Sequence, residues 1–570
     1  MNKVSLTFLF FIALQSFFAQ KILPENLSKK TKIYWDANKK HLHSTGSFYV
    51  DEINPETTEK HGKWLFYSLD GVLEEERFFY RNRQHGKQTV FFPNKTIKEI
   101  YYSRFNVPDS MYKAYNDKGV LLIQGNYQLG SPDGKWLFFY QDSSIWKTEF
   151  TSNDTTYLLD YFQDDSAHTQ TVKEGQGFVK TYYSTGKTKE SYTFSNGLKT
   201  GPFFELLASG KTSISGSFLK GKKDGIWEYF YADGTVQKRE GYVADSLHGP
   251  YEVYYENGKT ETVGQYVKGR KTGEWSWHSS QGAFLEMNGG FLNDLQHGDW
   301  EYYFSTGEHS YHAQFDHGKK TGEWNYHYRN GQDFRKGNYL NDLKTGLWQT
   351  WYEDGTLLME GNYVNGKEEG EWKNNWPNGR VKNQSYYKLG KLNGAWYSFA
   401  PEGKLLLFGR YKKDLKTGKW TDFYNNGKKK EETSYKILKV KNALDDVVSM
   451  GSKSKQSLEH GKHLAYSQVD YTLKESGKFK KGKKSGKWIN YYPGGVVPAV
   501  VAYYKNGNLH GAFTQYDRMG NKMNEIHYHK GLKHGWFIVY GRNGKPISEK
   551  MFRYGHEMRK KNSEDGFAPN

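Results

Sequence analysis

The stretch Gly346-Leu347-Trp348-Gln349-Thr350-Trp351-Tyr352-Glu353-Asp354-Gly355 returns, with changes, at Gly418-Lys419-Trp420-Thr421-Asp422-Phe423-Tyr424-Asn425-Asn426-Gly427. Both read Gly, any residue, Trp, two variable residues, an aromatic pair, two polar residues, Gly. The first Gly recurs at 177, 201, 225, 249, 273, 298, 322, 346, 370, 394 and 418, in steps of 24 with a single step of 25. Further copies start at Gly62, Gly86, Gly134, Gly461, Gly486, Gly511 and Gly535, and Ser110 keeps the phase between Gly86 and Gly134, which makes nineteen starts. Gly stands nine residues after the start in sixteen of the nineteen. Random placement would give about two, so the register is a property of the chain. An aromatic stands two residues after the start in sixteen, and eleven of the 17 Trp sit there.

Each copy reads as a β-hairpin. In the first strand Trp324, Tyr326 and Tyr328 alternate, which places them on one face. Asp233-Gly234, Asn257-Gly258, Asn330-Gly331, Asp354-Gly355 and Asn426-Gly427 then supply turn residues suited to positive φ, the strongest local hairpin signal. The second strand returns through steps such as Gly361-Asn362-Tyr363 and Gly409-Arg410-Tyr411, and a loop such as Asn365-Gly366-Lys367-Glu368-Glu369 leads to the next start. One hairpin cannot bury enough surface to stand alone, so stability must come from stacking neighbours. The expected fold class is all-β: an elongated, twisted antiparallel ribbon of stacked 24-residue hairpins, roughly 180 Å long at ~4.8 Å per strand. The expected repeat packing sets each aromatic on its equivalent in the neighbouring unit. Trp227, Trp275, Trp300, Trp324, Trp348, Trp372, Trp396 and Trp420 are the structural aromatics of that ladder.

The pattern Gly-x-Trp-x-x-Tyr-Tyr-x-Asn-Gly-Lys resembles the bacterial variant of the MORN repeat, the type labelled antitoxin-like. The resemblance covers residues 46–550. It implies an all-β hairpin array used for protein or surface contacts, with no catalytic residues in the repeat and no defined molecular activity.

Composition agrees with many short aromatic strands. Of 570 residues, 46 are Tyr and 61 are Gly, while only 36% are hydrophobic and 13 are Pro, so the chain turns often without being a Pro-rich tract. There is no Cys, which excludes disulfides, thiolate metal sites and lipid attachment through Cys. Lys3 precedes an apolar run from Val4 to Phe18, and polar sequence begins at Lys21. That run is too short to favour a spanning helix and matches the apolar region of a secretory signal. Export is expected, to the periplasm, the cell surface or the medium, with no transmembrane segment in the mature chain.

The expected organisation is a signal peptide at 1–20, an N-terminal cap at 21–60, repeats at 61–176 ending in an irregular insert-bearing unit, regular repeats at 177–428, an irregular insert at 429–460, repeats at 461–550 and a tail at 551–570. The irregular stretches come from two 43-residue spacings, Gly134 to Gly177 and Gly418 to Gly461. Departures from a regular scaffold are where binding loops occur, although loops also tolerate insertion without function.

The net charge of +18 invites an anion-binding reading. Much of it belongs to the repeat, since Lys222, Lys271, Lys319, Lys344, Lys416 and Lys483 fall near the unit boundaries and would align as basic ladders. Lys at strand ends also discourages edge pairing, which is the blander role. These six are the candidate anion-binding residues. Of the 19 His, seven (61, 85, 248, 297, 460, 510 and 534) directly precede a start residue and belong to the repeat, and the His41/His43 and His527/His529 pairs lack a nearby carboxylate pattern, so no metal site is expected. Gly482-Lys483-Lys484-Ser485-Gly486-Lys487 is one residue short of a phosphate loop. No nucleophile elbow, zincin or dinucleotide fingerprint appears, and no constellation meets the requirements of catalysis. The expected function is a non-enzymatic, cofactor-free protein-binding or scaffolding module at the cell envelope. The alternatives are a module for glycan, cell wall or anionic lipid, and an antitoxin or immunity-type binder; nucleic acid is disfavoured as a partner.

Overall fold

Alternating aromatics, Gly-punctuated turns and a 24-residue period produce antiparallel hairpins throughout the computed structural model, which describes residues 27–51, 56, 58–280, 282–441, 453–559 and 568–569. The signal segment at 1–20 lies outside the described residues. Among those described there is no helix, and none is long and apolar enough to cross a membrane. The chain divides into two units, Met1–Lys259 with Tyr266–Gly269, and Thr260–Gln265 with Arg270–Asn570. In the first, successive strands pair antiparallel from Thr31–Tyr34 and Leu42–Val50 to Val236–Val243 and Ser246–Tyr254. In the second they do so from Arg270–His278 and Leu285–Leu292 to Pro546–Arg553 and His556–Arg559.

The repeat contact is clearest around Trp348. In the hairpin of Leu343–Trp351 and Leu357–Val364, Gly346 pairs with Tyr363 and Trp348 with Gly361. The indole does not stay within that hairpin. It leans back over the preceding return strand, where a Cβ on Gly337 would stand 2.2 Å from the ring, and its Nε1 donates to the Asn338 carbonyl at 3.1 Å. Trp372 covers Gly361, Trp420 covers Gly409 and Trp488 covers Gly477 in the same manner; in the first unit Trp64 covers Gly46, Trp136 covers Gly125 and Trp227 covers Gly216. Aromatics therefore do not stack on their equivalents, as a simple ladder would require. The return-strand tyrosine intervenes: Tyr339 meets Trp324 and Trp348 edge-on, both at 5.2 Å between centroids. Edge-to-face geometry suits the ring quadrupoles.

A second bond runs the other way. Tyr352, six residues after its start, donates its hydroxyl forward to the Asn375 carbonyl of the next hairpin at 3.0 Å, and Tyr328 reaches Trp351 O at 2.9 Å. Tyr183 and Tyr231 in the first unit do the same, to Leu206 O and Tyr254 O, each at 2.8 Å. Trp64, Trp227, Trp300, Trp324, Trp348 and Trp488 thus bond their hairpins backward through an indole N–H, whereas the buried Trp136, Trp372 and Trp420 cover their glycines without that bond. The forward bond comes from a phenol O–H at most sites and from the Trp376 indole at one.

The two edges carry different turns. Asp-Gly and Asn-Gly sites close four-residue turns: Gly234 N donates to Tyr231 O, with positive φ on Gly234 and not on Asp233. The two-residue turns with both residues at positive φ lie at the opposite edge, as in Asn341-Asp342 (φ 49° and 67°) and Asn365-Gly366 (50° and 74°). The mirror-image turn expected at Asn-Gly therefore forms in the loop that leads to the next start. There Asp342 N donates to Lys320 O at 3.0 Å while its carboxylate accepts from Lys320 N at 2.9 Å, clasping adjacent turns together. The start glycine sits in a bulge. Gly361 pairs with Trp372 and Asn362 with Glu369, so Gly370, at φ 74°, and Glu371 are extra. The bulge redirects Trp372 onto its neighbour.

Two departures test the Trp–Gly rule. Opposite Trp324 stands Ala313, and the ring is still only 4% exposed; opposite Trp396 stands Ser385, and Trp396 is only partly buried. One methyl group is absorbed by a small ring shift, whereas a branched side chain has no room. Gly361→Val should destabilise its hairpin by about 1–3 kcal/mol, seen as faster amide exchange in Leu357–Val364 and Lys367–Asn375 than in distant strands. Trp348→Ala should cost more, about 3–5 kcal/mol, in the same local measurement.

Burial of the tyrosine layer also shapes the response to alkali. Burial pushes the hydroxyls of Tyr112 and Tyr326 up to about 12 from the ordinary 10. The folded state holds these protons longer than the unfolded state does, so the stabilisation is complete below pH 10 and is lost as pH rises from 10 through 12. Tyrosinate absorbance from these layers should rise together with loss of the β-sheet circular dichroism in that window, rather than ahead of it.

Candidate functional site

The repeat breaks between Gly134 and Gly177, and there the hairpins enclose a cleft. Three strands, Ile145–Ser152, Thr155–Phe162 and Gln170–Lys173, fill the interval between Ser131–Phe139 and Gln176–Tyr182. The 43-residue spacing is therefore a whole extra hairpin, shortened, rather than a single unit bearing an insert. Its first strand occupies the place of a start strand, as shown by Tyr140, which donates forward to Phe162 O at 2.8 Å like the other forward tyrosines. It lacks the start glycine. Only Leu159 is extra where Thr148 pairs with Asp160 and Glu149 with Leu158, against the two extra residues of a regular bulge.

That loss changes the local course of the sheet. Leu158 N donates to Gly197 O at 2.9 Å, Gly197 N to Gly175 O at 3.0 Å, and Gly175 N to Leu159 O at 2.7 Å, so two turns close over the short hairpin. Leu158, Val172 and Val179 form an aliphatic core beneath them, with Tyr161, Tyr192 and Phe194 packed against it. The resulting cleft has a volume of about 580 Å³. That falls within the range of roughly 300–1,000 Å³ usual for ligand pockets.

Its lining combines aromatic surface with charge of both signs, Lys147, Lys199, Lys220 and Lys222 standing with Glu149, Asp154 and Asp245. Trp146, 37% exposed, and Tyr161 stand on one wall; Tyr192 and Phe194 stand with Lys199, Lys220 and Lys222 on the other. Lys147 is ion-paired to Glu149 and lies 4.2 Å from the Phe138 ring centre. Lys199 lies 4.2 Å over Tyr192, and burial lowers its pKa below the usual lysine range. Burial likewise raises the Tyr192 hydroxyl to about 12 and raises Tyr161. A half-buried ammonium over an aromatic face, an exposed indole and charges of both signs around them suit a polar partner that also brings apolar surface.

The six lysines singled out from the sequence do not form one ladder. Lys271, Lys344 and Lys416 lie over Trp275, Trp348 and Trp420 at 4.4, 4.2 and 4.3 Å from the ring centres, covering the indole face that the glycine does not. Lys222, Lys319 and Lys483 are exposed at the tight-turn edge, and of these Lys222 lines the cleft. Of the eight repeat tryptophans, Trp227, Trp275, Trp300, Trp324, Trp348, Trp372 and Trp420 are buried and Trp396 partly so. Trp146 stands twelve residues after Gly134, the place of Phe334 after Gly322, and meets Tyr140 at 6.3 Å as Phe334 meets Tyr328 at 5.1 Å; what sets it apart is an indole at that position, which the repeat template does not specify.

The second 43-residue interval behaves differently. Lys429–Lys441 and Lys453–Tyr466 form one prolonged hairpin, paired from Glu431 with Ala465 out to Lys441 with Lys453; residues 442–452, Asp445 and Asp446 among them, lie outside those described. The His pairs noted in the sequence do not converge on a ligand. His41 is bound to Asp36 and His43 to Ser44, while His529 sits between His510 and His534.

Six segments, residues 60–82, 223–244, 247–268, 344–365, 368–389 and 416–436, match the family model described as MORN repeat variant. No curated protein matches the chain. Solved structures similar to it include TcdB2-TccC3 without its hypervariable C-terminal region, at 9% identity over 93% of this chain and 31% of that one, with a TM-score of 0.13. A second is the Photorhabdus luminescens Tc holotoxin pore carrying the TccC3 mutation D651A, at 9% identity over 95% of this chain and 30% of that one, with a TM-score of 0.12. The chain spans about a third of the length of those chains.

Proposed function

We propose that the chain is an exported, non-catalytic repeat module that binds another protein at the cell envelope through the cleft formed where the hairpin register breaks. The cleft carries this reading. Elsewhere the conspicuous side chains are engaged in holding repeats together: the tryptophans cover glycines, the tyrosines bond to neighbouring carbonyls, and half of the candidate lysines cover indoles. Around the short hairpin Lys199 likewise covers Tyr192, but Trp146, Lys220 and Lys222 keep exposed surface along the cleft. An indole at the mouth of a pocket is the residue type that anchors protein interfaces. Export is supported by Lys3 and the apolar run from Val4 to Phe18. An antitoxin or immunity role would be one instance of the same protein binding.

The glycan alternative calls for exposed rings in series, and the buried repeat tryptophans do not offer them. Anionic lipid would be met by the exposed lysines at the tight-turn edge, Lys319 and Lys483 among them, far more than by the cleft.

A photo-crosslinking residue placed at Asp154, in the cleft, should capture a discrete envelope protein that persists at moderate salt. The same residue at Ile226, exposed on a regular strand, should not. Trp146→Ala should weaken that capture about tenfold, the effect of losing an aromatic anchor worth about 1.4 kcal/mol. Equal capture at both positions, or recovery of lipid or polysaccharide alone that is lost as salt rises, would refute the proposal.

A further inference from the structure

In the second unit one hairpin departs from the repeat at two adjacent positions, and both departures introduce metal-ligating side chains beside a histidine. The tight turn before Gly322 reads Asp316-His317-Gly318-Lys319. Residues equivalent to Asp316 include Leu292, Leu340, Val364, Lys388, Lys412, Lys480, Lys505 and His529, and those equivalent to His317 include Asn293, Asn341, Asn365, Leu389, Lys413, Lys481, Asn506 and Lys530, so no other of these turns pairs a carboxylate with an imidazole. Apolar side chains, lysine or histidine thus give way to a carboxylate, and Asn, Leu or Lys to an imidazole.

The turn comes back against His297, one of the histidines that directly precede a start glycine. Such histidines have a structural task. His460, His510 and His534 face the tight turn 20 or 21 residues later, whose amide N–H donates to Nδ1 at 3.4 Å in each case. His297 occupies the same place, but its Nδ1 lies 3.3 Å from Asp316 Oδ1, and His317 Nδ1 lies 2.6 Å from the same oxygen. The two imidazoles stand edge to face with centroids 5.1 Å apart. One donor atom from each of the three residues lies within 4.8 Å of the others.

We infer that His297, Asp316 and His317 form a binding site for a divalent transition metal, of which Zn²⁺ is the type. Two imidazoles and one carboxylate match the nitrogen and oxygen preference of Zn²⁺, whereas Ca²⁺ and Mg²⁺ take oxygen ligands alone. Bonds of about 2.1 Å in a tetrahedron set the donors about 3.4 Å apart. Closing from the present spacing requires a shift of about 1 Å, which exposed side chains make by small χ rotations. Three protein donors leave the fourth position to water. Bound metal would tie the tight turn to the strand Leu295–Tyr303, replacing the amide bond that the other histidines make. The inference is independent of the cleft, which lies in the other unit.

The test is calorimetric titration of the full chain with Zn²⁺, repeated with Co²⁺ to read its visible absorption, on the wild type, the double variant Asp316→Val, His317→Lys, and His510→Ala. The double variant installs residue types that other tight turns carry, so its circular dichroism should be unchanged. The wild type and His510→Ala should bind one equivalent that the double variant has lost, together with the Co²⁺ absorption of a site of low symmetry. Unchanged stoichiometry and affinity in the double variant, or no Zn²⁺ uptake by the wild type at micromolar metal, would overturn the assignment.

Discussion

The structure depends on a tryptophan ring lying flat against a neighbour's backbone that has no Cβ. Several of the other recurrent residues follow from this contact. The ring can reach its neighbour only if the strand that bears it is redirected, which the bulge at the start glycine does. Its outer face would be left in water, and a lysine two residues before the start covers it, with Lys344 4.2 Å from the Trp348 ring centre and its pKa lowered by burial. Its N–H would lose hydration on burial, and the carbonyl next to the glycine accepts it. Hydrophobic burial, cation–π contact and a satisfied donor thus meet at one side chain, which is how a sheet of hairpins stabilises itself with so little aliphatic residue.

The period, the strand alternation and the packing role of Trp, though not the glycine it packs on, were legible in the sequence because one physical contact is repeated many times, and repetition separates signal from chance. The turns were legible only in part. Asn-Gly was expected to form the mirror-image turn, yet at Asn330-Gly331 the glycine alone takes positive φ, and the mirror-image turn forms at pairs such as Asn341-Asp342 that are less conspicuous. The choice depends on loop length and strand twist, not on the dipeptide alone. The cleft was the least legible feature. Its hairpin lacks the Gly, Trp and Asn-Gly marks by which the other units are counted, so the 43-residue interval reads as an insertion; only its length and polarity pointed to something different. The prolonged hairpin at Lys429–Lys441 and Lys453–Tyr466 hides for another reason, since its strands carry few of the aromatics that mark the repeat.

A protein with so many aromatic and basic residues invites a search for function among the most frequent of them, and the packing directs that search elsewhere. What recurs in every unit is engaged with the adjoining unit. What occurs once, such as the exposed indole of Trp146 on the cleft or Asp316 beside two imidazoles, is a side chain that the repeat does not require. The net charge of +18 reads differently in this light. Part of it is a lid for indoles, part lines the tight-turn edge, and part, at Lys199, Lys220 and Lys222, lines the cleft beside Glu149, Asp154 and Asp245.

The backward and forward bonds share one property: both end on main-chain carbonyls. Trp348 addresses the backbone of residue 338, Tyr352 that of residue 375, and the side chains at those two positions are irrelevant to the bond. A hairpin copied within the gene would therefore find acceptable neighbours at once, without matched changes on either side, provided it brought its own glycine. Lengthening by duplication is then mechanically easy, and a spare copy would be free to lose the marks that the hairpin of Thr155–Phe162 and Gln170–Lys173 lacks. The same grammar that makes the units interchangeable is what lets one of them become different.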